Sequence, residues 1–268
     1  MAINSVDTPE IQSDTRETDL RQMVVPMRPP LEGMSNPSLI RLVMGDTSVV
    51  TGATASDDLQ EVYTELAAKQ LANFPESISS VNALIVAASL TPYDPVRAEC
   101  LKSISMLDKE VAVIVALSYL QHPDAHLRAY SVPLLAAVDS VLAESVSDRL
   151  RSDSSEMVRD ETYAALTGVS TKQKDSAATQ FIEIDTDILA AMFLFQNPRT
   201  HSPEIFTDSM SRIRSTGAKE AISCLFLVSP DAGDEVMQAA FNYLKTSNPR
   251  FVEALHAAFP HTFVKQPT

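Results

Sequence analysis

Three stretches of this sequence can be laid over one another without a gap: DPVRAECLKSISML (94–107), AHLRAYSVPLLAAV (125–138) and EMVRDETYAALTGV (156–169). Each has an apolar residue followed by an arginine, and 31 residues separate one arginine from the next (128 − 97 and 159 − 128): Arg97, Arg128 and Arg159. Counted from that apolar residue, a small residue follows at +4 and apolar residues at +8 and +11. These positions share one helical face. The stretches therefore predict three equivalent helices, each with one buried face.

A second apolar stretch precedes each of these helices in the same register, with Leu84, Val115 and Val146 at equivalent places. Short polar connections, TPYDP, HPDAH and SDSSE, join the two stretches. The repeating unit is therefore predicted to be a helix, a tight turn and a second helix. One such hairpin cannot bury both of its faces, so neighbouring hairpins must stack against it.

An apolar–Arg pair at the start of the second helix, after a Pro/Asp turn, resembles the HEAT-like repeat family. The 31-residue unit is most similar to the short repeats of phycobilisome-lyase-type HEAT proteins. The resemblance covers residues 80–169 and implies an all-α fold, a right-handed α-α superhelix. It also implies a structural ladder between each arginine and an acidic residue six positions earlier. Asp153 fills that place for Arg159, whereas Thr91 and His122 stand at the other two places.

The chain is predicted to have four parts. Residues 1–35 are rich in polar residues and proline and poor in large apolar ones, which indicates a disordered tail. HEAT-like repeats are expected over residues 36–170, a linker over 171–182, and divergent helical hairpins over 183–264. The last part lacks the diagnostic arginine, so it is either a set of diverged repeats or a separate helical cap. Within the middle repeat, Pro133 is expected to kink or shorten the second helix.

The composition limits the classes of protein to which this sequence can belong. The 268 residues carry a net charge of −14, with 35 acidic and 21 basic residues, and include 6 glycines and 6% aromatics. Few glycines and aromatics disfavour a many-stranded β-fold. The acidic balance argues against nucleic-acid binding and against docking on anionic membranes. The longest apolar stretches are too short to span a bilayer, so no membrane insertion is expected, and the predicted location is cytoplasmic.

No motif in the sequence indicates catalysis. Cys100 and Cys224 lie in apolar helical stretches and are expected to be buried free thiols. His122 and His126 have i, i+4 spacing, but Pro123 places the first of them in a turn. Motifs for zinc, phosphate loops, dinucleotides and nucleophile elbows are missing from the sequence. We therefore expect no catalytic residue, no metal site and no cofactor.

The interpretation that fits these expectations is a non-catalytic scaffold or adaptor that binds a partner protein or peptide on a solenoid surface. The second helices would form a concave face, and the predicted partner-binding residues are those that fall off the apolar stripe: Glu99, Lys102, Tyr130, Asp160 and Glu161. Their mostly acidic character suits a basic partner. This interpretation is an analogy at the level of the fold.

Two other functions remain open. The short repeat class suggests a bilin lyase-like, chromophore-handling factor, for which Tyr93, Tyr119, Tyr130 and Tyr163 are the nearest aromatic residues. Alternatively, the chain is an exported bacterial factor, or the regulator of one, whose first 35 residues act as a secretion or docking signal.

Overall fold

The computed structural model describes residues 31–51, 56–75, 77–170, 186–196 and 202–260. These residues form fourteen helices, and no β-strand occurs among them, which confirms the all-α prediction. None of these helices is both long enough and apolar enough to cross a membrane.

The helices lie in the following order along the chain: α1 (Asn36–Val43), α2 (Ser48–Thr51), α3 (Asp57–Leu71), α4 (Ile78–Leu90), α5 (Asp94–Leu107), α6 (Lys109–Tyr119), α7 (Ala125–Val138), α8 (Ser140–Arg151), α9 (Glu156–Ser170), α10 (Thr186–Gln196), α11 (Pro203–Arg212), α12 (Thr216–Val228), α13 (Asp234–Ser247) and α14 (Pro249–Ala258).

The three predicted second helices are α5, α7 and α9, and α4, α6 and α8 are the first helices of the same hairpins. The predicted stripe is buried at its first three positions, whereas Leu107 and Val138 at +11 are half-buried. It contains the apolar residue before each arginine and the small residue at +4: Val96, Leu127 and Val158, with Cys100, Ser131 and Thr162. Because the +4 residues are small, they leave room for a neighbouring helix at these buried positions.

A polar residue begins the first helix of each hairpin. The side chains of Ser77, Asp108 and Asp139 accept hydrogen bonds from the free backbone N–H groups at the starts of α4, α6 and α8. These caps are themselves 31 residues apart (108 − 77 and 139 − 108). Asp108 and Asp139 also end the preceding helix, so one residue connects neighbouring hairpins. Ser and Asp are favoured at this place because their oxygens satisfy unpaired donors.

Helix α7 runs through Pro133 to Val138, so proline does not end the helix there. The alternative expectation, a kink at Pro133, stays a prediction. Proline removes one N–H from the helical ladder. Leu134 and Leu135, which follow it directly, are buried in the core and hold the rest of the helix in place.

Two sets of helices enclose one hydrophobic core. Helices α3, α5, α7 and α9 form a row in which each contacts the next. On the other side, α12 packs against α4 and α6, α10 packs against α6, and α14 packs against α1 and α4. Residues 81–88 of α4 and 111–117 of α6 are buried without exception, as expected of helices covered on all sides. The C-terminal helices therefore cover the faces of α4 and α6 that the row leaves open.

The segment predicted to end the tail is partly described. Leu31 is buried against the core, and the side chain of Ser35 caps α1. Residues 1–30 of the predicted tail, and the residues of the predicted linker, lie outside the described residues.

Candidate functional site

The three repeat arginines are engaged by their own turns. Arg97 is 5% exposed and donates from Nε to the carbonyl of Ala88 (3.1 Å) and from Nη2 to the carbonyl of Thr91 (2.8 Å). Its Nη1 donates to the Asp94 carboxylate at 2.9 Å. Arg97 therefore closes the turn between α4 and α5, because it satisfies carbonyls that the end of a helix leaves unpaired.

The other two arginines repeat this bond. Arg128 donates to the carbonyl of His122 at 2.8 Å, and Arg159 donates to the carbonyl of Asp153 at 2.7 Å. In all three hairpins the acceptor is the backbone carbonyl six residues before the arginine, which any residue type can supply. The Asp153 carboxylate, matched to Arg159 by sequence, pairs instead with Arg128 of the preceding hairpin.

Acidic groups surround a tyrosine on the outer side of the row. The Oη of Tyr130 on α7 lies 3.5 Å from the carbonyl oxygen of Asp94 at the start of α5. Partial burial raises the pKa of Tyr130, and the carboxylates of Asp94 and of Glu161 on α9 raise it further, whereas Arg97 opposes the shift. Tyr130 is therefore under the influence of acidic charges on both of the helices next to α7 in the row, α5 and α9.

A second tyrosine has the same kind of surroundings one helix away. Tyr93 precedes α5, and desolvation followed by the carboxylates of Asp57, Glu61 and Asp58 raises its pKa. Those three residues occupy the first turns of α3, the helix next to α5 in the row. We name the resulting band across four helices the acidic tyrosine strip. Its members are Asp57, Asp58, Glu61, Tyr93, Asp94, Tyr130 and Glu161.

Few cations neutralise the strip. Asp94 pairs with Arg97 at 2.9 Å and with His126 at 3.3 Å. The ion pairs found among the described residues leave the other four carboxylates of the strip unengaged. The strip is therefore a negatively charged surface with two half-buried aromatic rings along it.

The structure brings together some of the predicted partner-binding residues. Tyr130 and Glu161 both belong to the strip, and Asp160 is exposed beside Glu161. Glu99 and Lys102 form an ion pair with each other at 3.3 Å, and the Glu99 side chain is only 17% exposed, against 62% for Lys102. Lys102 is therefore exposed as predicted, whereas Glu99 is more buried than expected.

Sequence reasoning missed the contribution of α3. From the sequence alone, Asp57 and Asp58 are acidic residues of a first helical turn, where negative charge is favourable. Their position beside Tyr93 depends on the packing of α3 against α5. The helical periodicity of α3 was visible in the sequence, but which helix it would contact was not.

Neither a reactive thiol nor a metal-binding cluster is found among the described residues. Cys100 and Cys224 are free and fully buried, and burial raises the pKa of both thiols far above its ordinary value. Over the ranges that the structure describes, His, Cys, Asp and Glu side chains form no group of three or more that could hold a metal ion.

No model of a known protein family, no curated protein and no solved structure matches this chain. The resemblance to HEAT-like repeats therefore stays a prediction from the sequence.

Proposed function

We propose that this protein is a non-catalytic adaptor whose HEAT-like hairpins present the acidic tyrosine strip to a lysine- or arginine-bearing segment of a partner protein. The observation that carries this proposal is the surroundings of Tyr130: its hydroxyl lies 3.5 Å from the Asp94 carbonyl oxygen, and the charges of Asp94 and Glu161, from the two neighbouring helices, both raise its pKa.

The chemistry of the strip suits a cationic side chain. Lysine and arginine lay their apolar stems along an aromatic ring and keep the charged end at its edge. A cation over a tyrosine face gains about 0.5–2 kcal/mol. The carboxylates of Glu61 and Glu161 would add attraction and speed the encounter, because acidic surfaces steer basic partners.

The spacing of the helices suggests how far apart the basic residues of the partner segment should be. Packed helices lie about 8–10 Å apart, so the strip offers one acidic or aromatic group about every 8–10 Å across the row. An extended peptide advances about 3.3 Å per residue. A partner segment that crosses the row in extended form would therefore place a basic residue at about every third position.

The proposal can be tested by selecting binders from a random peptide library with the full chain as bait. A matched pair of variants then decides where the selected peptides bind. The first removes three strip charges, with Asp57→Asn, Glu61→Gln and Glu161→Gln. The second removes three exposed charges elsewhere, with Glu144→Gln, Asp148→Asn and Glu235→Gln, so that both variants have the same net charge.

We expect the enriched peptides to be rich in lysine and arginine, with affinity that falls as salt rises. The strip variant should bind them at least tenfold more weakly, which is about 1.4 kcal/mol, and the control variant should bind them like the wild type. Enrichment of acidic or apolar peptides, or equal loss of binding in both variants, would contradict the proposal.

A further inference from the structure

One histidine lies against the acidic tyrosine strip. His126, in the first turn of α7, comes four residues before Tyr130, so the two side chains are neighbours on one face of the helix. The Nδ1 of His126 lies 3.3 Å from Oδ2 of Asp94, and the His126 side chain is 44% exposed. The imidazole is therefore open to protons from solvent and in contact with a carboxylate of the strip.

Asp94 connects His126 to the rest of the strip. Its Oδ1 accepts a hydrogen bond from Nη1 of Arg97 at 2.9 Å, and its Oδ2 faces His126. The backbone carbonyl oxygen of Asp94 lies 3.5 Å from Oη of Tyr130. A change of charge on His126 therefore acts where the strip combines a carboxylate with an aromatic ring.

The permanent charges around His126 do not balance. The His126 backbone N–H donates to Oδ1 of Asp124 at 2.9 Å, and Oδ2 of Asp124 lies 4.0 Å from Nη2 of Arg97. Arg97 thus faces two carboxylates, those of Asp94 and Asp124. From α9, Glu161 adds a further negative charge to the strip. The group keeps a net negative charge until His126 is protonated.

The other charged and titratable groups at this turn are already engaged. His122 accepts the Asp124 N–H through Nδ1 at 3.1 Å. Arg128 of α7 is held by Asp153, which comes from the turn between α8 and α9. His126 is therefore the group of this turn that can bring a new positive charge to the strip.

We propose that His126 makes the binding of a basic segment to the acidic tyrosine strip depend on pH, with tight binding while its imidazole is neutral and weaker binding once it is protonated. This inference rests on the proposed function, because it concerns the regulation of the same surface. Histidine is the side chain whose charge ordinarily changes between about pH 5 and 8. A protonated His126 supplies Asp94 with a cation from within the chain and repels the lysine or arginine of the partner.

The direction of the effect follows from the charges. Aspartate and glutamate ordinarily ionise below about pH 5, and lysine keeps its proton up to about pH 10. The carboxylates of the strip and the cations of the partner therefore change little over the range in which histidine titrates. A like charge a few ångströms from the bound cation should weaken binding about three- to fivefold. The strip thus releases its partner as the pH falls.

A peptide without titratable groups in this range tests the inference. The probe has lysine or arginine at every third position, alanine and serine elsewhere, and acetylated and amidated ends. Isothermal titration calorimetry measures its affinity for the full chain at about pH 8 and about pH 5.5, at constant ionic strength. The variants are His126→Gln, which stays neutral, and His126→Lys, which stays charged. His122→Asn is the matched control, and circular dichroism checks that each protein is folded at both pH values.

We expect the wild type and His122→Asn to bind the peptide about three- to fivefold more weakly at the lower pH. His126→Gln should bind like the wild type at the higher pH and lose the pH dependence, whereas His126→Lys should bind weakly at both. A wild-type affinity that does not change with pH, or a His126→Gln variant that keeps the full change, would overturn this inference and leave the proposed function standing. If the peptide binds at neither pH, the proposed function fails and this inference fails with it.

Discussion

Arg128 on α7 holds Asp153, in the turn between α8 and α9, through two parallel hydrogen bonds. Nε lies 2.9 Å from Oδ2 and Nη2 lies 3.0 Å from Oδ1. The side chains are 15% and 13% exposed. This pair connects the second helix of one hairpin to the turn of the next, and it fixes the relative position of two repeats in a way that apolar packing alone would not.

Removal of the carboxylate should destabilise the protein. Asp153→Ala leaves the mostly buried guanidinium without its partner and removes the acceptor of the Ser155 N–H. We expect a loss of about 2–4 kcal/mol in the free energy of unfolding, measured in urea. Asp148→Ala, which removes a 94% exposed carboxylate from an ion pair with Arg151, should cost less than about 0.5 kcal/mol. Equal losses in the two variants would show that the bidentate pair is not what joins these hairpins.

His122 should make stability depend on pH. Burial lowers its pKa below the ordinary value of 6.5, Arg128 and Arg97 act in the same direction, and Asp124 and Asp231 oppose them. The Asp124 N–H donates to Nδ1 at 3.1 Å, which requires that nitrogen to be unprotonated. Below its ordinary pKa, the unfolded chain takes up a proton that the folded chain resists. The stabilisation that His122 contributes is therefore fully present above pH 6.5, its ordinary pKa, and is lost as the pH falls through the lower pKa of the folded state.

The variant His122→Asn separates the titration from the hydrogen bond, because the asparagine oxygen can accept the same N–H at every pH. Between about pH 7 and 5, the free energy of unfolding should fall less steeply in the variant than in the wild type. Urea unfolding across this range measures both slopes. Parallel slopes in the two proteins would contradict this role for His122.

Glu220 joins helices that are far apart in the sequence. It is 2% exposed, and its Oε2 accepts hydrogen bonds from Asn82 of α4 at 2.5 Å and from Asn248 before α14 at 2.9 Å. Glu220→Ala would leave two amide groups without their acceptor, and we expect a loss of about 2–4 kcal/mol. Glu220→Gln keeps an oxygen acceptor and should lose less than half as much.

Thermal unfolding followed by circular dichroism measures the Glu220 variants. Because the bonds of Glu220 connect α12 with α4 and α14, the destabilised protein should still unfold in a single transition at a lower temperature. A separate early transition of the C-terminal helices, with the rest unchanged, would argue against a shared core.

The two thiols should be unreactive in the native state. Cys100 and Cys224 are fully buried, and burial disfavours the thiolate that reacts with disulfide reagents. Ellman's reagent should label neither thiol at neutral pH until denaturant is added, after which both should react. Rapid labelling of the folded protein would mean that α5 or α12 opens readily.

Helices that bury only one face can be predicted from the sequence. Helices α5, α7 and α9 each bury one stripe, so apolar spacing and the arginine register place them correctly. The caps Ser77, Asp108 and Asp139 have the same 31-residue spacing, so the starts of α4, α6 and α8 can also be predicted from the repeat.

Prediction fails where contacts between distant helices decide the outcome. Residues 83–88 of α4 and 111–117 of α6 are apolar without a break, a sign that both sides of these helices are covered. Periodicity does not say that α12 provides the cover. The strip has the same origin, because Asp57 begins α3 and Tyr93 precedes α5, and only the packing of α3 against α5 brings them near one another. The proposed partner surface could therefore be predicted for α7 and α9 but not for α3.

Fluorine NMR of the chain with fluorotyrosine at its six tyrosines tests the central claim most directly, with Tyr→Phe variants to assign the signals. The probe is a synthetic peptide with lysine or arginine at every third position. We predict that the signals of Tyr93 and Tyr130 shift together as the peptide is added. The signal of Tyr119, buried in the core against Ser89, should stay in place. If the peptide binds and neither strip tyrosine responds, or if no basic peptide binds at all, the strip is not the partner surface.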